Sequence, residues 1–119
     1  MTTDFVAVNA NATVANAVQA LRAFDGDPES VTEIYLLDEK RVLRGAIPLG
    51  RLVMAQPETR LAVLAEPRVL SCPADMRQND LAEFFDKYNL HALAVVDSQN
   101  RMVGVVQADH VISFLREKL

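Results

Sequence analysis

The chain contains two copies of one pattern, and this repeat limits the fold more than any single residue does. Each copy has an apolar strand that ends in aspartate, a short polar turn, a strand that contains glycine, and a helix. Asp38 and Asp97 are 59 positions apart, and so are Gly45 and Gly104. A repeat at a fixed spacing predicts copies of one supersecondary unit that bury their apolar faces on each other. The pattern therefore favours a binding or regulatory module over an enzyme.

Length, charge and cysteine content exclude several other classes. A chain of 119 residues can form one compact domain, whereas two independent domains of about 60 residues would each be marginal. The 12 basic and 16 acidic residues give a net charge of −4, and the basic residues are scattered apart from a small cluster at residues 40–44. That cluster is expected to be a solvated hairpin, so no basic face for nucleic acid is expected. The single cysteine, Cys72, excludes an internal disulfide and a cysteine-cluster metal site. No apolar run approaches the about 18–20 residues of a membrane span, so this segment is expected to be soluble.

Apolar periodicity predicts the order β-α-β-β-α, twice, and hence a mixed α/β (α+β) fold. A helix is expected from Val14 to Phe24 with Thr13 as its N-cap. A second helix is expected to run to about Tyr88 with Asp75 as its N-cap and Gln78 completing a capping box. Shorter helices are expected to begin near residues 49 and 109, and the connector 56–67 is expected to be packed. The predicted strands are Phe5–Val8, Ile34–Leu37, Val42–Ile47, Val69–Ser71, Ala92–Val96 and Met102–Val106.

The unit that carries these motifs resembles the CBS domain, two of which in tandem form a Bateman module. The resemblance rests on the repeated strand–Asp–turn–Gly strand pattern, which in the second copy reads Ala94-Val95-Val96-Asp97 and then Arg101-Met102-Val103-Gly104-Val105-Val106. It covers essentially the whole chain. The start, residues 1–6, and the segment Phe84-Phe85-Asp86-Lys87-Tyr88-Asn89-Leu90 are most similar to the cytosolic CBS pair of MgtE-type magnesium transporters.

This resemblance implies an architecture and a role. It implies two repeats, residues 1–60 and 61–119, packed sheet against sheet with pseudo-twofold symmetry. It implies a homodimer that senses cytosolic Mg²⁺ and gates transport by rearranging, with no catalysis. The chain would be a fragment whose flanking domains include a membrane transport domain, which would place it at the cytoplasmic face of the membrane. Consistent with a non-enzyme, the sequence has no glycine-rich phosphate loop and no nucleophile elbow.

An adenosine nucleotide is a disfavoured ligand. In nucleotide-binding CBS repeats, a Gly-x-x-Ser/Thr-x-x-Asp stretch supplies a hydroxyl to phosphate and a carboxylate to ribose. The first repeat has Pro48 and Arg51 at these positions, and proline has no donor while arginine only donates. The second repeat has Gln107 and His110, with Asp109 one position early. The candidate nucleotide-binding residues are Arg51, Ser71, His91, Ala92, Gln107 and His110.

The resemblance also implies a metal site, because Mg²⁺ binds hard oxygen ligands and accepts sites made by two surfaces. The candidate ligands are Asp97, Asp109 and Glu117, which lie in the second repeat and the final helix. Asp38 and Asp97 have a second interpretation, since aspartate at the end of a strand commonly caps a hairpin turn. Two other functions stay open: an adenosine-nucleotide sensor for another effector, and a dimerisation module without a ligand.

Overall fold

The computed structural model describes residues 3–66 and 68–108, and within them the predicted mixed α/β fold is confirmed. The elements of the first repeat are β1 (Ala7–Asn9), α1 (Val14–Arg22), β2 (Glu33–Leu37), β3 (Leu43–Pro48) and α2 (Leu49–Val53). Those of the second are β4 (Ser71–Pro73), α4 (Gln78–Tyr88), β5 (Ala92–Val96) and β6 (Met102–Gln107). A short helix, α3 (Leu61–Leu64), lies in the connector between them. The helix predicted from about residue 109 lies outside the described residues, and the boundary at residue 60 stays a prediction.

The two sheets have the same topology, which matches the sequence repeat. In the first sheet β2 is the central strand, parallel to β1 and antiparallel to β3. In the second sheet β5 is central, parallel to β4 and antiparallel to β6. The hairpin register shifts at Leu36/Leu37 in one repeat and at Val95/Val96 in the other. The 59-residue spacing therefore corresponds to an equivalence of backbone geometry.

The sheets pack face to face, because alternate residues of the central strands point to opposite sides. Ile34 and Leu36 face the helices of the first repeat, whereas Tyr35 and Leu37 belong to a separate cluster between the sheets. The same alternation separates the two faces of β5. The layer order is helices, sheet, sheet, helix, and burying each large apolar side chain contributes about 1.5–3 kcal/mol.

One predicted helix cap is confirmed and another is wrong. The Thr13 side chain accepts from the backbone N–H of Asn16, whose own side chain accepts from the Thr13 backbone N–H. The capping box predicted for Asp75 and Gln78 is wrong, since α4 has Arg77 as its N-cap without a side-chain hydrogen bond. After β4 the chain first makes a turn, in which Met76 N–H donates to the Pro73 carbonyl at 3.1 Å. The helix therefore begins later than the position that Asp75 could cap.

The connector is packed, as predicted, although its helix α3 was not expected. Leu61 is fully buried in the core of the first repeat. At its end the connector pairs with β3, because Glu66 N–H donates to the Ala46 carbonyl at 2.9 Å and Ala46 N–H to the Glu66 carbonyl at 3.3 Å. Gly45 permits this approach, since a Cβ there would lie 3.1 Å from the Ala65 Cβ. The connector thus packs on the first repeat.

The tips of the two hairpins pair with each other. Leu43 N–H donates to the Asn100 carbonyl and Met102 N–H to the Arg41 carbonyl, both at 3.1 Å. Arg41 and Asn100 occupy equivalent positions and both have left-handed backbones, with φ of 68° and 62°. These reciprocal bonds, which we call the tip clasp, tie the repeats together at one end of the sheets.

Candidate ligand clefts

Two clefts lie between the repeats, at the opposite end of the hairpins from the tip clasp. Cleft A is lined by residues 4–6 and 30–33 together with Tyr35, Ala92, Val105 and Gln107. Cleft B is lined by Glu33, Ala46, Pro48, Glu66, residues 68–70, Leu90 and Ala92. Residues 4–6 lead into β1 and residues 68–70 lead into β4. Each cleft therefore uses the entering segment of one repeat and strand residues of the other, as pseudo-twofold symmetry requires.

Cleft A is filled by an aromatic pair. The rings of Phe5 and Tyr35 meet edge to face, with centroids 6.0 Å apart and planes at 89°, a favoured aromatic geometry. Tyr35 is buried, and its hydroxyl donates to Glu33 Oε1 at 3.0 Å. The remaining free volume is about 10 Å³, which is room for about one water molecule.

Glu33 lines both clefts and places a carboxylate at the wall between them. Burial raises the pKa of the Glu33 carboxyl, and the hydrogen bond from Tyr35 offsets part of that rise. Burial also raises the pKa of the Tyr35 phenol, with further contributions from the charge of Glu33 and from the same hydrogen bond. The pair therefore holds Tyr35 protonated as a donor and fixes its ring in cleft A.

Cleft B keeps an open cavity. At the positions equivalent to Phe5 and Tyr35, the chain has Val69 and Ala94, which are much smaller. The cavity is about 210 Å³, with largely apolar walls and charged groups at Glu33, Glu66 and Arg68. Pockets with apolar walls and a few polar groups are typical small-molecule sites. Cleft B is therefore the better-formed site of the two.

A shallow groove continues from the mouth of cleft A. It has a volume of about 460 Å³ and is lined by Asp27, Glu29, Ser30, Thr32, His91, Gln107 and Ala108. Gln107 joins the repeats across it, because its Nε2 donates to the Ser30 carbonyl at 3.5 Å. The groove is polar and open, so it can exchange ligands with solvent without a change in the core.

The structure brings together only some of the predicted nucleotide-binding residues. His91 and Gln107 share the groove, and Ala92 and Gln107 share cleft A. Ser71 lies in β4 beside Ala94 and lines neither cleft, while Arg51 binds Glu66 at the rim of cleft B. His110 lies outside the described residues. Their role in nucleotide binding stays a prediction.

Of the predicted metal ligands, only Asp97 lies within the described residues; Asp109 and Glu117 lie outside them. Asp97 Oδ1 accepts from the backbone N–H groups of Gln99 and Arg101, both at 2.9 Å, and Oδ2 accepts from Arg101 Nε at 2.8 Å. The Arg101 backbone bond is the largest cause that holds the pKa of Asp97 below its ordinary value. Asp97 thus caps its hairpin turn, in agreement with the second interpretation, and its role in metal binding stays a prediction.

Asp38 makes the equivalent cap in the first repeat. Its Oδ1 accepts from the N–H groups of Lys40 and Val42 at 2.8 and 3.0 Å, and its Oδ2 accepts from Arg44 Nε at 3.0 Å. The bond from Val42 is the largest cause that lowers the pKa of Asp38. Within residues 3–66 and 68–108, no three His, Cys, Asp or Glu side chains are grouped so that they could hold a metal ion. This part of the chain therefore offers no complete metal cage of its own.

The sequence reasoning missed the entering segments and the pair formed by Glu33 and Tyr35. The signal was available, because β1 and β4 begin at Ala7 and Ser71, which are 64 positions apart. Aligning the segments before these strands at that spacing places Phe5 opposite Val69. The spacing of 59 that relates the hairpins does not relate these segments, so the contrast between aromatic and small residues was not apparent.

Comparison with known proteins agrees with this architecture. Residues 62–117 match the CBS domain family. Over 115 residues, 97% of the chain, the sequence is 36% identical to the magnesium transporter MgtE of Thermus thermophilus. The chain belongs to the CBS-domain family, as a tandem pair. Among the described residues of this CBS pair, no helix has the length and apolar character needed to cross a membrane.

Two solved structures have the same fold over nearly the whole CBS pair. One is the soluble part of a magnesium transporter, with a TM-score of 0.90 and 28% identity over 98% of this chain. The other is the cytosolic domain of the Mg²⁺ channel MgtE in complex with ATP, with a TM-score of 0.89 and 36% identity over 96% of this chain. The CBS pair spans 45% and 46% of those two chains and 26% of the Thermus transporter. It thus matches less than half of the length of each of these relatives.

Proposed function

We propose that this CBS pair is the regulatory module of an MgtE-type transporter of magnesium or another divalent cation. In this proposal it senses cytosolic Mg²⁺ and gates transport through a dimer rearrangement, without catalysis. The observation that carries the proposal is the 36% identity to the Thermus magnesium transporter over 97% of the chain. The proposal includes a homodimer, a flanking membrane transport domain and a position at the cytoplasmic face of the membrane.

The surface of α4 supports an electrostatic response to cations. Asp80, Glu83 and Asp86 follow one another at intervals of three on this helix and are exposed. Within the described residues these carboxylates form no ion pair, and like charges at such spacing repel. A divalent cation shared with a second surface would relieve that repulsion and favour a compact state.

The ligand chemistry also favours a site made by two surfaces. The described residues do not group three ligands, whereas Mg²⁺ uses few carboxylates and keeps several waters. We therefore expect the remaining oxygens to come from a second copy or a flanking domain. Asp97, Asp109 and Glu117 stay the proposed ligands of this chain, with the acidic face of α4 as a further contributor.

The test is small-angle scattering of the purified dimer during a titration to millimolar Mg²⁺, with K⁺ at equal ionic strength as a control. Wild type is expected to become more compact with Mg²⁺ only. The triple variant D97N/D109N/E117Q is expected to lose the response, while D38N, which alters the equivalent turn cap, is expected to keep it. A wild type that does not respond would contradict sensing, and a triple variant that responds fully would show that other residues bind the ion.

A second candidate function is ATP binding, and one observation favours it. The related cytosolic domain with 36% identity was solved in complex with ATP, and cleft B has a cavity between the repeats. Pro48 lacks the hydroxyl that would donate to phosphate, and Arg51 lacks the carboxylate that would accept from ribose, so the ordinary nucleotide contacts are absent there. Calorimetric titrations with ATP and with AMP, in EDTA, test this function separately from Mg²⁺ sensing. Heat from ATP or AMP would support it, and silence from both would leave Mg²⁺ sensing as the single proposed function.

A further inference from the structure

Arg51 ties α2 to the connector at the rim of cleft B. Its Nη1 donates to the Leu64 carbonyl at 2.9 Å and to Glu66 Oε1 at 2.8 Å. Leu64 is the last residue of α3, so Arg51 satisfies a carbonyl that the end of a helix leaves without an intrahelical partner. Arg51 and Glu66 side chains are 45% and 59% exposed, and exposed ion pairs are weak enough to exchange partners.

Backbone bonds fix much of the rest of the connector, together with the buried side chain of Leu61. The first amides of α1, from Val14 and Ala15, donate to the Thr59 and Pro57 carbonyls, both at 2.9 Å. The pairing of Glu66 with Ala46 fixes the other end against β3. The Arg51 ion pair is therefore an exposed, exchangeable contact in a connector that is held mainly by backbone bonds and by the burial of Leu61.

The size of cleft B makes this contact important for binding. The cavity is about 210 Å³, whereas sites for drug-sized ligands are about 300–1,000 Å³. Movement of the rim would let a nucleotide enter more deeply, and the Glu66 side chain is part of that rim. Glu66 also brings a negative charge to the place where an anionic ligand would enter.

We propose that Arg51 is a latch on cleft B, and that a phosphate-bearing ligand opens it by replacing the Glu66 carboxylate on the Arg51 guanidinium. Phosphate suits this exchange, because the planar guanidinium can give it two parallel hydrogen bonds. Displacement of the Glu66 side chain widens the mouth of cleft B, while the Arg51 bond to the Leu64 carbonyl can remain. The inference rests on the second candidate function, ATP binding, and is independent of Mg²⁺ sensing.

The test is a double-mutant cycle on ATP affinity, measured by calorimetry in EDTA with ATP itself as the probe. E66Q removes the competing carboxylate and is expected to bind ATP about two- to fivefold more tightly, the range of an exposed ion pair. R51Q is expected to bind more weakly than wild type, and E66Q is expected to give no gain in the R51Q background. E58Q removes an exposed acid elsewhere on the connector and is the matched control, with unchanged affinity.

Three results would overturn the latch: equal affinity of E66Q and wild type, a gain from E66Q that persists without Arg51, or no ATP heat from any variant. The second result would indicate a general charge effect. If R51Q does not fold by circular dichroism, R51K replaces it in the cycle, because lysine keeps the charge but loses the two-pronged donor. Because the titration contains EDTA, its failure leaves the Mg²⁺ scattering experiment unaffected.

Discussion

Clefts A and B are built from equivalent backbone segments of the two repeats. They differ in whether side chains fill the space between those segments. In cleft A, Phe5 and Tyr35 leave about 10 Å³. In cleft B, the equivalent Val69 and Ala94 accompany a cavity of about 210 Å³. A repeated fold can thus use one cleft as core and the other as a pocket by changing side chains at equivalent positions, including Phe5/Val69 and Val105/Ala46.

The larger cavity and the residues better suited to a nucleotide lie in different clefts. Gln107, which can still donate, borders the filled cleft, whereas Pro48 borders the open one. The residues judged better suited to a nucleotide therefore do not coincide with the larger space. Any ligand of cleft B must be recognised by groups other than the usual hydroxyl and aspartate, which directs attention to Arg51, Glu66 and Arg68.

The largest expected effect comes from emptying cleft A. Tyr35→Ala gives β2 the residue that β5 has at this position, and we expect a loss of about 3 kcal/mol in the free energy of unfolding, because a large buried side chain leaves a cavity. Urea denaturation measures this change. Tyr88→Ala is the control, because Tyr88 is 44% exposed. It should lower the free energy of unfolding by less than about 1 kcal/mol. Equal losses would mean that Tyr35 is not part of the core.

The next effect comes from filling cleft B. Val69→Phe places at this position the residue found in cleft A, and the cavity should accept the ring with a stability change within about 1 kcal/mol. Val6→Phe is the comparison, because Val6 is buried in the core of the first repeat beside cleft A. It should lower the free energy of unfolding by about 1–3 kcal/mol through overpacking. Thermal unfolding of the two variants gives the comparison. If Val69→Phe lowered the unfolding temperature more than Val6→Phe, the claim that cleft B holds the free cavity would be contradicted.

A smaller effect is expected at the hairpin tips, where Arg41 and Asn100 share a left-handed backbone. Asparagine tolerates this conformation better than arginine. Arg41→Asn should therefore raise the free energy of unfolding by about 0.5 kcal/mol, and Asn100→Arg should lower it by about the same amount. Chemical denaturation of both variants tests the pair, and changes of the same sign would contradict the equivalence of the two turns.

The smallest effect concerns acid stability. The folded pKa values of Asp38 and Asp97 are lowered from 3.8, mainly by backbone hydrogen bonds, so their contribution is present above that pH and is lost as pH falls through the folded values. D38N and D97N should each flatten the fall in stability below about pH 4, and to a similar extent. Urea midpoints measured from acidic to neutral pH check this. A change confined to one variant would show that only one cap is charged and bonded in solution.

The repeat predicted most of the fold because it depends on strong local signals. Apolar runs located the four long strands to within a residue or two, and the stripe after Thr13 located α1. The helix α3 was missed because four residues carry too little periodicity, and Leu61 is held there by burial in the core. The cap of α4 was placed wrongly because the turn after β4 depends on backbone bonds that composition does not reveal.

The site was less predictable, because it depends on residues that meet only in three dimensions. Glu33 and Tyr35 lie in a strand and were not predicted as site residues. Their role follows from their hydrogen bond at the wall between the two clefts. Arg51 was correctly seen as a departure from the nucleotide motif, but its bond to Glu66 spans 15 positions and has no local signal. Side-chain pairing across a connector is thus the information that sequence periodicity lacks.

The tip clasp has a mechanical consequence. It fixes the repeats to each other where the hairpins close, through the bonds of Leu43 and Met102, whereas the clefts open at the far ends of the same strands. Strands of five residues, such as β2 and β5, give an arm of about 16 Å between the two ends. A rotation of a few degrees about the tip clasp would therefore widen both clefts at their far ends. We expect a ligand bound between the repeats to change the angle between the helices on the outer faces of the two sheets.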